Sequence, residues 1–114
     1  MRRKHSVHKN HRFQEIRRKG NSVSNKLVVV CVDNNHLSYS RFGFSVSKRI
    51  GNAVVRNRVK RRLKEAVRQQ LHEIQTGKDI VFIARSPIKY ADYQEIDKAC
   101  ARLLRRANLL IVHP

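Results

Sequence analysis

The sequence predicts an α+β fold: one sheet with helices packed against it, in the order αβββαβα. Three observations carry that expectation. Phe42, Phe44 and Val46 alternate with Gly43, Ser45 and Ser47, the period of two that sets one face of a strand on a core. Val55, Val59, Leu63, Ala66, Val67, Leu71 and Ile74 then recur at helical spacing and make one apolar stripe. Residues 27–32 form a short β-branched run that is apolar on both faces, as a central strand is, and residues 79–84 form another apolar strand. Helices against one face of a single sheet would bury these stripes most economically. A chain of 114 residues is one domain, residues 1–114, with one modest core.

Taken in order, residues 1–9 are basic and lack an apolar period, which predicts a mobile arm able to order on a polyanionic partner. His5, His8 and His11 invite a metal reading, but no Cys, Asp or Glu beside them completes a shell, and the neighbouring Arg2, Arg3, Lys4, Lys9 and Arg12 repel a cation. No metal site is expected there. Asn10 can cap a helix over residues 11–19 whose thin apolar face is Phe13 and Ile16, with Gly20 ending it. Residues 22–25 read as a short strand. The cluster Asp33, Asn34, Asn35 and His36 is turn chemistry, so the strand before it and the strand over residues 41–47 should form an antiparallel hairpin. Residues 48–51 make a tight turn in which Gly51 is free to take backbone angles that other residues avoid. Asn52 is an N-cap for the long helix. Thr76, Gly77 and Lys78 break the pattern before the strand at 79–84, and Pro87 interrupts the segment after that strand. Asp92 and Glu95 form a capping box that opens a helix with the stripe Tyr93, Ile96, Ala99, Cys100, Leu103, Leu104 and Ala107. Arg102, Arg105 and Arg106 lie off that stripe as a secondary solvated face.

Charge sets the partner class. The chain carries 26 Lys and Arg against 8 Asp and Glu, a net charge of +18. The attraction is to polyanions, nucleic acid or an anionic membrane surface. The longest apolar run, residues 27–32, is far short of the ~20 residues of a helical membrane crossing. The basic N-terminus leads into polar residues, so no secretory signal is expected. Cys31 and Cys100 each fall in an apolar pattern and read as reduced core residues of a cytoplasmic protein. On the long helix Asn57, Arg58, Arg61, Arg62, Lys64 and Arg68 stand away from the apolar stripe, with Arg56 and Lys60 nearer its edges and Glu65 the only carboxylate. A solvated face usually mixes signs, because like-charge neighbours at i,i+4 cost a few tenths of a kcal/mol each. The like pairs Arg58–Arg62, Lys60–Lys64 and Lys64–Arg68 therefore point to a nucleic-acid face.

Catalytic constellations are scarce. The acids are Glu15, Asp33, Glu65, Glu73, Asp79, Asp92, Glu95 and Asp97, and no pair of them is embedded in the basic stretch. Phosphodiester hydrolysis by protein groups usually draws on clustered carboxylates that hold divalent metal. No Ser-His-Asp or Cys-His arrangement and no glycine-rich phosphate loop is legible. The sequence reads as a binder with no catalytic residue of its own.

The run from Gly43 to Arg61, Gly-Phe-Ser-Val-Ser-Lys-Arg-Ile-Gly-Asn-Ala-Val-Val-Arg-Asn-Arg-Val-Lys-Arg, resembles the signature of the bacterial ribonuclease P protein subunit, with Arg56-Asn57-Arg58 as its core. The likeness is long and ungapped, and extends more weakly to Phe13-Gln14-Glu15-Ile16 with Gly20 and to residues 79–85. It implies a two-layer α/β sandwich related to the second domain of ribosomal protein S5, with a left-handed crossover through the basic helix. The general rule for parallel strands would favour the right-handed form. It implies docking on a catalytic RNA through Asn52, Arg56, Asn57, Arg58, Lys60, Arg61, Arg62, Lys64 and Arg68, and contact with the 5′ leader of precursor tRNA through Phe13, Arg17, Val29 and Cys31. Lys48 and Arg49 are implied near the active site, and Arg85 and Lys89 as further leader contacts. Two departures stand in the supposed leader cleft: Arg17 and Cys31 occupy places where the family usually has aromatic residues. The implied chemistry is removal of the leader by a holoenzyme that requires Mg²⁺ held by the RNA, with no cofactor bound by the protein alone and no obligate protein partner.

Size and charge suit a ribosomal-type structural RNA-binding protein equally, and only the long signature separates the two. A DNA reader would place the basic helix in the major groove, yet that helix follows a strand rather than a companion helix and is basic throughout. A self-sufficient nuclease would need the carboxylates that this sequence does not cluster.

Overall fold

The computed structural model describes residues 5–7 and 10–111. Its elements are α1 (Asn10–Lys19), β1 (Asn21–Ser24), β2 (Val28–Asn34), β3 (Arg41–Ser45), α2 (Ala53–Gln69), β4 (Lys78–Ala84) and α3 (Tyr93–Arg106), the expected αβββαβα order. Short 3-10 turns lie at Lys48–Ile50, Leu71–Glu73 and Ser86–Tyr90.

Ile80 to Ala84 is apolar at every position, and a strand of that kind needs both faces and both edges covered. β4 accordingly lies inside the four-stranded sheet, in the order β1-β2-β4-β3. It runs antiparallel to β2, with Val30 opposite Phe82, and parallel to β3, with Phe44 opposite Phe82. The hairpin expected between β2 and β3 does not form, because β4 stands between them. Turn residues 33–36 reverse the chain without choosing its neighbour. The segment instead spans the end of β4, where Asn35 donates its amide to Gly77 O at 3.0 Å and the Ser40 hydroxyl donates to Gln75 O at 2.6 Å. β2 makes its hairpin with β1. Asn25 builds that turn by accepting from the amides of Leu27 and Val28, both at 3.0 Å.

Alternate residues of a strand point to opposite faces. Val28 and Val30 of β2, Ile80 and Phe82 of β4, and Phe42 of β3 pack with Leu63 and Val67 of α2 and Ile96 and Leu103 of α3. Phe44 stacks on Phe82 at 5.5 Å within that layer. Val29, Cys31, Val81 and Ile83 face the other way, against Phe13 and Ile16 of α1 and Val7. Helices therefore cover both faces, not one as economy predicted. The physical reason is that β2 and β4 are apolar on both sides, so a bare second face would expose them. Ile16 is fully buried there, worth about 1.5–3 kcal/mol.

Part of the arm expected to be mobile also has a place. Ser6 bridges Phe42 in parallel, Val7 N donates to Phe42 O at 2.9 Å, and the His5 ring stacks on Tyr39 at 5.2 Å. Residues 5–7 thus cap the outer edge of β3, an edge that would otherwise offer open backbone groups. The rest of that arm, His8 included, lies outside the described residues.

The helix ends follow sequence except at Asn10, expected as a cap and found as the first residue of α1. The Asn52 side chain accepts from Val55 N at 3.0 Å, and the Asp92–Glu95 capping box is complete. The apolar stripe of α2 outruns the helix: Leu71 falls in a 3-10 turn and Ile74 bridges Leu110. Gly20 follows the last residue of α1 as expected, and close approach gives it a second role. A Cβ there would sit 2.3 Å from the Val32 carbonyl oxygen. Gly51 adopts φ 158° and ψ −167°, and a Cβ on it would press to 3.0 Å of Val55.

Among the described residues one charged group is fully inside. Asp79, at 0% exposure, accepts from Arg41 Nη2 at 2.6 Å, Arg41 Nε at 2.8 Å, Arg12 Nε at 2.8 Å and Asn35 Nδ2 at 3.0 Å. Arg12 also donates to Glu15 at 2.7 Å, Asp33 at 3.0 Å and Asn34 O at 3.1 Å. Three carboxylates thus converge on one guanidinium and tie α1 to the sheet.

Candidate nucleic-acid interface

α2 separates its two sides as its pattern requires. Val59, Leu63, Ala66 and Val67 are buried, while Asn57, Lys60, Arg61, Lys64 and Arg68 are exposed. Among the described residues no carboxylate pairs with Lys60, Arg61 or Lys64. Arg68 is different: it donates to both oxygens of Glu65 at 2.6 and 2.9 Å, and that contact holds the Glu65 carboxyl down to about 2. Arg62 and Arg58 are half-buried and reach across to the 3-10 turn before α3, where Arg62 Nη1 donates to Ala91 O at 2.9 Å and Arg58 Nη2 to Lys89 O at 3.4 Å. The buried Nε atoms of Arg56 and Arg58 have no acceptor among the described residues. Asn52 sits exposed at the start of this row, with its side-chain oxygen engaged in the cap.

A cavity of about 610 Å³ opens between α2 and the β3 edge, lined by Lys60, Arg61, Lys64 and the Arg68–Glu65 pair on one side and by Phe13, Gly43 and Phe44 on the other. α1 and α2 lie on opposite faces of the sheet, and this cavity brings Phe13 and the cationic helix to a common space around the β3 edge. Phe13 is half-buried and lies over Gly43, where a Cβ would approach its ring to 2.7 Å. Its ring is at once packed and partly accessible.

The remaining leader candidates fall into two groups. Arg17 is exposed on α1, Val29 is half-buried in β2, and Cys31 is only 4% exposed beneath α1. Burial pushes the Cys31 thiol upward, and the Arg17 charge offsets this in part. Cys31 packs the floor under α1 and presents no surface. Cys100 is likewise buried and free, its thiol pushed up to about 12 by desolvation. The second group gathers at one end of the sheet. Lys48 and Arg49 are exposed in the turn after β3, Arg85 is exposed after β4, and Lys89 is half-buried in the next turn. Arg49 and Arg85 line one hollow of about 300 Å³, and Arg85 Nη1 donates to Asn25 O at 2.8 Å.

Sequence reasoning missed the Arg12–Asp79–Arg41 centre and the two arginine contacts to the Lys89 and Ala91 carbonyls. An acid opening an otherwise apolar strand was the one available signal for the first. No group of three His, Cys, Asp or Glu that could hold a metal occurs among the described residues, and Glu15, Asp33 and Asp79 are all engaged by Arg12. These residues do not fit a resident Mg²⁺. No helix among the described residues is long and apolar enough to cross a membrane.

A mixed four-stranded sheet with helices on both faces, one of them carrying the exposed Lys60, Arg61 and Lys64 without carboxylate partners among the described residues, has the character of a polyanion-binding α+β protein. A profile of the ribonuclease P family matches residues 1–108. The ribonuclease P protein component of Alkaliphilus metalliredigens is 47% identical over 102 residues, spanning 90% of this chain and 92% of that protein. That of Bacillus cereus strain 03BB102 is 42% identical over 110 residues, 96% of each chain. The solved RNase P protein of Staphylococcus aureus superposes with a TM-score of 0.87 at 38% identity, covering 93% of this chain and 97% of that one. The RNase P protein of Thermotoga maritima gives 0.82 at 30% identity over 89% and 96%. The chain belongs to the ribonuclease P protein family. Membership makes it the protein subunit of a ribonuclease P holoenzyme, an RNA-binding component of tRNA processing that associates with ribonuclease P RNA.

Proposed function

We propose that the chain docks on the catalytic RNA through α2 and holds the 5′ leader of precursor tRNA near the scissile bond, so that the RNA removes the leader and leaves a mature tRNA 5′ end. The observation that carries this reading is the row Lys60, Arg61 and Lys64, exposed and without carboxylate partners among the described residues, inside or just beyond the family's signature stretch. Asn52, Arg56, Asn57, Arg58, Arg62 and Arg68 extend the docking face. The two orphaned Nε atoms of Arg56 and Arg58 support it, because a buried donor without an acceptor is rare unless a partner supplies one. Phosphate contacts of this kind set register, and Asn57 adds hydrogen bonds of fixed geometry.

Leader contact falls to Phe13, Arg17 and Val29, with Cys31 as the floor beneath them. Phe13 offers an aromatic platform and Arg17 a guanidinium plane, both surfaces on which an unpaired base stacks. Lys48 and Arg49 stand near the reacting phosphate in this reading, with Arg85 and Lys89 further along the strand. The protein lowers repulsion between two RNAs and so strengthens Mg²⁺ binding by the complex, while the ions stay on the RNA. The α2 crossover is left-handed in this reading, as in the second domain of ribosomal protein S5, and the site of action is the cytoplasm.

The test is cleavage of a precursor tRNA at low Mg²⁺ with catalytic RNA, with and without the protein, beside a protein-only control. Cleavage that needs both components is expected. Cleavage by protein alone would overturn the reading of a chain without its own active site. No stimulation of active RNA by folded protein would favour a ribosomal-type structural role, which co-sedimentation with ribosomal subunits then checks.

A further inference from the structure

The sheet register brings three loops together. β2 begins where β4 ends, Val28 opposite Ala84, and β3 ends beside the same point, Ser45 opposite Ile83. The Lys48–Ile50 turn, the Ser86–Tyr90 turn and the loop holding Lys26 therefore share one end of the sheet, the outer two about 10 Å apart at two strand spacings. Ser86 and Pro87 form a common wall. On one side lies the hollow of about 300 Å³ with Arg49 and Arg85. On the other lies a groove of about 600 Å³ lined by Lys26, Leu27, Lys89 and Tyr90.

Tyr90 is the unexplained residue. It is 82% exposed, although its neighbours Ile88 and Ala91 are buried. The Lys89 ammonium sits 5.0 Å from its ring centroid. A lone exposed aromatic needs no explanation; one set in a cation-lined groove that continues an arginine hollow does. The groove holds one carboxylate, Glu95, whose Oε1 already accepts from Asp92 N at 3.2 Å in the helix cap. A ring with an apolar wall, Lys89 over one face and Lys26 in the same groove matches an unpaired base stacked on the other face and flanked by phosphates.

We infer that Tyr90 stacks a nucleotide of the leader upstream of those held at Arg49 and Arg85, with Lys26 and Lys89 against its phosphates. The inference rests on the leader-binding reading above and adds a subsite to it: affinity should keep rising with leader length until the strand reaches Tyr90. The test uses the reconstituted holoenzyme and one precursor tRNA carrying a graded series of leader lengths, with Tyr90→Ala, Tyr90→Phe and Lys26→Ala. Tyr90→Ala should weaken long-leader precursors by about 5- to 100-fold, the effect of removing one stacked base, and leave short-leader precursors and mature tRNA unchanged. Tyr90→Phe should bind as the wild type does. Lys26→Ala should flatten the salt dependence for long leaders only. Tyr90→Ala matching the wild type at every length, or losing short and long leaders equally, would overturn the subsite. A wild-type holoenzyme that binds precursor and mature tRNA alike would instead overturn the leader reading itself, so the two failures are distinguishable.

Discussion

A single carboxylate shows how this molecule uses its few acids. Burial pushes Asp79 upward, but hydrogen bonds from Arg41, Asn35 and Arg12 outweigh it and hold the carboxyl below the ordinary aspartate range. Removing it takes from Arg41 its carboxylate partner and from Arg12 one of three, so Asp79→Ala should cost about 3–5 kcal/mol in urea unfolding. The sign with pH comes from the depressed value. Its stabilisation is complete above the unfolded pKa of about 4 and is lost as pH falls through the lower folded value. Acid titration of stability should therefore be flatter in Asp79→Asn than in the wild type. Phe13 carries the second residue-scale expectation. Phe13→Ala should weaken leader-bearing precursor by about 1–3 kcal/mol more than mature tRNA if the ring stacks a base; an equal loss for both would assign it to packing over Gly43. The arginine–aspartate centre was illegible in sequence because Arg12 and Asp79 stand 67 positions apart. Only the fold makes them neighbours, whereas the roles of Asn52 and Asp92 were legible because cap and capped amide lie three residues apart.

At the scale of elements, helices were legible almost completely and strand pairing was not. A helix bonds within itself, so Val55 to Val67 and the Asn52 cap specify α2 from local sequence. A strand's neighbours lie elsewhere in the chain, and nothing local in residues 33–36 reveals that β4 will enter between β2 and β3. The doubly apolar character of β2 did identify it as interior, and its corollary, a helix on each face, was there to be drawn. The candidate docking face was legible for the same reason as the helix that bears it; the hydrogen bonds that tie Arg58 and Arg62 to the turn before α3 were not. Those bonds make Arg61 and Lys64 the cleaner variants, since both are exposed and without carboxylate partners among the described residues. Replacing both by Ala should leave the thermal midpoint nearly unchanged and lower the log–log salt slope of catalytic-RNA binding by roughly 0.7–0.9 for each phosphate no longer neutralised. An unaltered slope would mean that this face does not meet RNA.

At the scale of the whole molecule, a charge of +18 on 114 residues repels itself in the compact state. Any polyanion that binds the folded chain in preference to the unfolded one adds stability by mass action. Thermal midpoints should therefore rise with catalytic RNA at low salt and converge on those of the free protein as salt increases. The sheet order has a separate consequence for how the chain is made. β2 and β3 share no edge; each is completed only by β4, which comes after both and after the whole of α2. During synthesis the β1–β2 hairpin and β3 must wait, with the edges that face β4 unpaired, until residue 84 has left the ribosome. A chain ending after Gln70 should stay open to protease along β2 and β3, and with it α2 loses the sheet that buries its apolar side. In the proposed docking mode, a nascent copy should offer a folded α2 to RNA only once β4 has emerged and the sheet that buries the apolar side of the helix is whole.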